Sequence, residues 1–188
     1  MTETNNIVAK LLEKCPVVPA IKDNDIDSAL DSPCGVIFLL NADILTVTDA
    51  INKLHRAGKK AYIHIDLADG IGKDNSGIKY LKQCGADGII STRAALIRMA
   101  KEQKLTTVQR VFALDSKGLA SAIETVKSGN PDFVEVLPGI ALKAIKLFAK
   151  ARIPVIAGGL ISEKSEIFSA LDSGAIAVST GKKELWDM

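Results

Sequence analysis

Short runs of apolar and β-branched residues recur along the chain: VVPAIK (17–22), GVIFLL (35–40), KAYIHIDL (60–67), DGIIS (87–91), TVQRVFAL (107–114), FVEVLP (133–138), PVIAGG (154–159) and IAVSTG (176–181). Several are apolar at successive rather than alternate positions. Strands buried on both faces read this way, and they belong to parallel sheets covered by helices. Between the runs the apolar period becomes helical. Ile44, Val47, Ile51 and Leu54 fall at steps of three and four within residues 43–57, and Gly58 stops the pattern. Residues 94–104, 116–127, 139–151 and 162–173 behave alike, with Ser162, Ser165 and Glu166 forming a loose N-cap for the last. Residues 1–15 predict a helix leading into the first strand. The segment from Asp23 to Cys34 leaves room only for a short helix.

Strand centres lie about 18 to 26 residues apart, the spacing of βαβ units with right-handed crossovers. Eight of them predict a compact (β/α)8 barrel, one domain over residues 1–188. An open doubly wound sheet is the alternative, but no GxGxxG turn follows the first strand.

Composition narrows the function classes. Hydrophobic residues at 47% and charged residues at 24% are ordinary for a globular chain and exclude a disordered or collagen-like one. Aromatics at 4% leave no stacking platform for single-stranded nucleic acid. A net charge of +2 excludes a generally polybasic surface while leaving room for a local basic patch. No apolar run is long enough to cross a bilayer, and the polar N-terminus lacks a secretory layout. Cys15, Cys34 and Cys84 form no CxxC pair and are odd in number, which predicts core or surface thiols in a reducing cytoplasm.

In a (β/α)8 barrel, functional groups come from the C-terminal ends of the strands and the loops that follow. Polar residues fall there: Lys22 and Asp23 after the first strand, His64 and Asp66 on the third, Arg110 and then Asp115 on the fifth, Glu135 on the sixth. Gly158 and Gly159 end the seventh strand and Ser179 and Thr180 the eighth. Loops after strands seven and eight commonly cradle phosphate, here through bare backbone N–H groups, two hydroxyls and a helix N-terminus over 182–186. A tight turn would also explain the glycine pair. Lys22, Arg110 and Glu135 are charges within or beside apolar strands, which costs several kcal/mol unless they pair. They read as a polar pocket floor, as an Arg110–Glu135 structural pair, or as both. His64 and Asp66 could form a general acid/base pair or a metal site; the favoured reading is Asp66 as a hydroxyl-binding group and His64 as a hydrogen-bonded core histidine. No metal-ligand cluster or cofactor motif is evident. Lys143, Lys146 and Lys150, three and four apart, share one helix face that could touch RNA phosphates or simply be solvated. Lys59, Lys60, Lys182 and Lys183 read as solvated charges.

The ordered set VVPAIKD (17–23), AYIHIDLADGIGKD (61–74), DGIISTR (87–93), TVQRVFALDS (107–116), PDFVEVLPG (131–139), PVIAGGLI (154–161) and GAIAVSTGKKELW (174–186) resembles the glycerol-3-phosphate-responsive antiterminator family over nearly the whole chain. The resemblance implies a cytoplasmic regulator, not an enzyme. It would bind glycerol 3-phosphate without a cofactor and act on the leader mRNA of glycerol-metabolism operons. It places phosphate on Gly158, Gly159, Ser179 and Thr180, with Lys22, Asp66, Arg110 and Glu135 lining the pocket. The ligand would order the Leu67–Asp74 loop over the barrel mouth, and a homodimer would assemble enough positive surface for RNA. The competing reading is a barrel enzyme acting on a small phosphorylated metabolite, with Asp66 or Glu135 as base and Lys22 as electrophile.

Overall fold

The computed structural model describes residues 3–22, 25–113 and 116–188. Asp23 and Asp115 lie outside them. Eight parallel strands close in sequence order: β1 (Val17–Ile21), β2 (Val36–Leu39), β3 (Lys60–His64), β4 (Gly88–Ser91), β5 (Thr106–Phe112), β6 (Phe133–Leu137), β7 (Val155–Gly158) and β8 (Ala175–Thr180). The helices are α1 (Glu3–Lys14), α2 (Ile26–Asp31), α3 (Val47–Arg56), α4 (Asn75–Gln83), α5 (Ala94–Glu102), α6 (Ser116–Gly129), α7 (Leu142–Lys150) and α8 (Lys164–Asp172). This is the predicted (β/α)8 barrel.

Alternation along the strands divides the apolar residues into two cores. Val18, Phe38, Tyr62, Ile90, Val108, Phe133, Ile156 and Ala177 fill the interior, and Val8 and Leu12 of α1 join them as a plug at the N-terminal end. The intervening residues, among them Ile37, Leu39, Ile63, Ile89, Val134 and Val178, pack outward against the helices. A register shift sets this alternation in β8. Val155 pairs with Ala175 and Ile156 with Ala177, so Ile176 is the extra residue and Ser179 arrives on the inner face.

Three local elements differ from the sequence expectation. The third strand stops at His64, and Ile65–Leu67 form a 3-10 turn. The α4 helix, hidden among Asn75, Ser76 and Gly77, starts where the Asp74 carboxylate accepts from the Gly77 N–H at 2.9 Å. Glu163, not Ser162, caps α8 in a reciprocal box with Glu166. Among the described residues no helix is long and apolar enough to cross a membrane.

Candidate functional site

A cleft of about 660 Å³ opens at the C-terminal ends of the strands, walled by Ala20, Leu40, Leu137 and the loops after β7 and β8. Its floor is a buried ionic network. Arg110 and Glu135 are register partners on adjacent strands, so their inward side chains meet, with Arg110 Nε 2.5 Å from Glu135 Oε2. The other Glu135 oxygen accepts from Ser179 Oγ at 2.6 Å. Glu135 is 1% exposed, and the two bonds offset its desolvation. Gly158, the register partner of Ser179, must lack a side chain. A Cβ there would stand 2.5 Å from Ser179 Oγ and 2.6 Å from Glu135 Oε1.

Above this floor the chain turns sharply. Gly159 and Leu160 both adopt left-handed backbone, with φ of 73° and 58°. For Leu160, 71% exposed, this conformation is strained, a feature typical of functional loops. Ser162 and Glu163 donate their N–H groups to Glu166, and Lys182 donates its own to Thr180 Oγ1. The N–H groups of Leu160 and Gly181 donate to no group among the described residues. Leu160 and Gly181 line the cleft together with the Glu135-paired Arg110 guanidinium on the floor and Lys182 on the wall.

The expected site residues separate into two groups. Gly158, Gly159, Ser179, Arg110 and Glu135 come together at the cleft. Thr180 also lines the cleft, but its hydroxyl is already engaged, accepting from the Lys182 N–H at 3.1 Å. Its hydroxyl donates to the Ile161 carbonyl at 2.9 Å, tying the β7 loop to β8. Lys22 is exposed just beyond β1 and does not line the cleft. The 3-10 turn redirects Asp66 sideways, where it accepts from Ser91 Oγ (2.9 Å), Thr92 N (2.7 Å) and Thr92 Oγ1 (2.9 Å). Burial would raise the Asp66 carboxyl, but these donors outweigh it and hold it below its ordinary value. The segment over 182–186 is a 3-10 turn, Lys183–Leu185, too short to serve as a helix N-terminus. The Leu67–Asp74 loop is fastened by its own hydrogen bonds. Asp69 N–H donates to Ala42 O (2.7 Å), Ile44 N–H to Asp69 O (3.0 Å), and Lys73 Nζ to the carbonyls of Ala68 and Ile71.

His64 departs from the expected hydrogen-bonded core histidine. It is 3% exposed on the inner wall, and neither ring nitrogen has a partner. Burial, reinforced by Arg110, pulls its pKa down to about 4. At neutral pH it is an uncharged imidazole with an unused donor and an unused acceptor, close to the Arg110–Glu135 pair. Lys143, Lys146 and Lys150 are exposed on α7, opposite its buried Ala144, Ile145 and Phe148. Lys59 is not solvated as expected: its Nζ donates to the carbonyls of Ser32 (2.6 Å) and Cys34 (3.0 Å).

The architecture and the cleft define a (β/α)8 barrel with its polar site at the C-terminal mouth. Residues 17–186 match the family described as glycerol-3-phosphate responsive antiterminator, and the chain belongs to that family. It is similar to the glycerol uptake operon antiterminator regulatory protein of Listeria monocytogenes, with 34% identity, a TM-score of 0.86, and coverage of 90% of this chain and 94% of that one. A glycerol uptake operon antiterminator-related protein of Thermotoga maritima matches at 33% identity and a TM-score of 0.83, covering 93% and 99%. The Escherichia coli K12 protein YgcP is 36% identical over 181 residues, 95% of each chain. Several aldolases share the fold alone, at 11–16% identity.

Proposed function

We propose that the cleft is a glycerol 3-phosphate sensor and that its occupancy controls contact between the basic face of α7 and leader mRNA. The observation that carries the reading is the pairing of an anion-accepting rim at Leu160, Gly181 and Lys182 with a hydroxyl-reading floor of Arg110, Glu135 and Ser179. Phosphate sits on the rim, and the glycerol hydroxyls reach the floor network. The carboxylates a catalytic reading would use as base are occupied, Asp66 by Ser91 and Thr92 and Glu135 by Arg110 and Ser179. The arrangement therefore favours binding over turnover.

Coupling has a short physical route. Gly139 N–H, in the loop that leads into α7, donates to the Gly159 carbonyl at 2.9 Å. A Cβ on Gly139 would crowd Gly158 N at 3.0 Å and Ile161 Cδ1 at 2.7 Å, so the two loops move as one. A ligand that binds one arrangement of the β7 loop more tightly shifts α7 with it. With a net charge of +2 and few aromatics, RNA contact is electrostatic, and a homodimer would double the lysine stripe.

The test is a gel shift on the leader RNA of a glycerol operon, with and without glycerol 3-phosphate. Retardation is expected to require the metabolite and to be abolished by the combined K143E, K146E and K150E changes. Alanine at the three sites should flatten the salt dependence by about 2 in log–log slope, the value for three phosphates on a single strand. Retardation that ignores both the ligand and the three lysines would overturn the reading.

A further inference from the structure

At the N-terminal end of the barrel, remote from the cleft, two thiols meet. Cys15 follows α1 and Cys34 precedes β2; they are 4% and 0% exposed, and both are free. Their sulfurs stand 3.1 Å apart. Cys34 Sγ also lies 3.2 Å from the Trp186 carbonyl, and Cys15 Sγ 3.7 Å from that of Val17. Lys59 holds the Cys34 carbonyl and brings a positive charge beside the pair. A cavity of about 270 Å³, lined by Leu11, Lys14, Cys34 and Lys59, reaches the Cys34 side of the pair from solvent. It is large enough for a molecule the size of water or hydrogen peroxide. Nothing in the sensing reading uses these groups.

We infer that Cys15 and Cys34 form a dithiol that a hydroperoxide converts into an intramolecular disulfide, a modification site joining the end of α1 to the start of β2. The Cys15 thiolate attacks one peroxide oxygen. The S–O bond forms, the O–O bond breaks, and the departing hydroxide takes up the proton that Cys15 released on ionising, leaving as water. The Cys34 thiol then gives up its proton and attacks the Cys15 sulfenic sulfur. The S–S bond forms, and the S–O bond breaks with loss of water. The dithiol loses two electrons, and hydrogen peroxide is reduced to two waters. The sulfurs need to close only from 3.1 Å to the roughly 2.0 Å of a disulfide. Hydrogen bonding to Cys34, aided by Lys59, holds the Cys15 thiol below its ordinary value and makes it the attacking sulfur of the pair. Cys84, the third cysteine, has no such partner and serves as an internal control.

The cluster also lies at the lower end of the C-terminal tail. The Trp186 carbonyl lies 3.2 Å from Cys34 Sγ, and the Trp186 indole N–H donates to Thr180 O at 3.0 Å, beside the cleft wall.

The experiment treats the full chain with hydrogen peroxide, counts thiols after denaturation, and maps peptides without reduction. Free thiols are expected to fall from three to one, with a cross-linked peptide carrying Cys15 and Cys34 and full recovery on adding dithiothreitol. C15S and C34S, checked for folding by circular dichroism, should each abolish the cross-link. Three thiols persisting, or cross-links through Cys84 alone, would overturn the inference. The readout needs neither glycerol 3-phosphate nor RNA, so its failure leaves the sensing reading untouched.

Discussion

His64 carries the sharpest single-residue consequence. Its folded pKa, about 4, lies below its ordinary 6.5 because burial and Arg110 disfavour the charged ring. Between those values the unfolded chain binds a proton that the folded chain refuses, so stability rises with pH across that window. The contribution is complete above pH 6.5 and is lost as pH falls toward 4, up to about 3 kcal/mol. Denaturant titrations at pH 7 and pH 4.5 should show this loss in the wild type and a smaller one in His64→Leu. Equal losses would show that His64 is not held neutral by the fold. The unused ring nitrogens also suit a ligand hydroxyl, since an unpartnered polar group in a barrel interior is costly unless something completes it.

At the scale of elements, Asp66 shows what one 3-10 turn changes. Continuing the third strand through Leu67 would place Asp66 beside His64 on the inner face. The turn instead sends it to brace the start of α5 through Ser91 and Thr92. Asp66→Ala should cost about 1–3 kcal/mol, the penalty of leaving donors unsatisfied, while glycerol 3-phosphate affinity stays unchanged. A large loss of affinity with stability intact would return Asp66 to the ligand. The strands were legible because burial on both faces writes apolar residues at every position, and the Arg110–Glu135 pair because charge is rare in such runs. The 3-10 turn was not legible, since Ile65 and Leu67 continue the apolar run unbroken. Ser179 and Thr180 both line the cleft, but only the Ser179 hydroxyl joins the Glu135 network, while that of Thr180 ties the β7 loop to β8. Lys59 was missed because a buried lysine serving two carbonyls reads like any charge ahead of a strand.

At the scale of the molecule, the barrel is closed below by α1 and open above at the cleft. The cleft and the thiol pair thus lie toward opposite ends of the barrel, with Trp186 between them. The loop that leads into α7 is joined to the cleft's β7 loop by the Gly139–Gly159 hydrogen bond, which is the route the proposed sensing would use. As a sensor, the cleft would have to read phosphate and hydroxyls together. Isothermal titration calorimetry of the purified protein with glycerol 3-phosphate, and with glycerol and inorganic phosphate as controls, tests this most directly. Saturable binding of glycerol 3-phosphate, with inorganic phosphate far weaker and glycerol weaker still, is the predicted result. No heat from glycerol 3-phosphate at millimolar concentration, or equal affinity for inorganic phosphate, would contradict it.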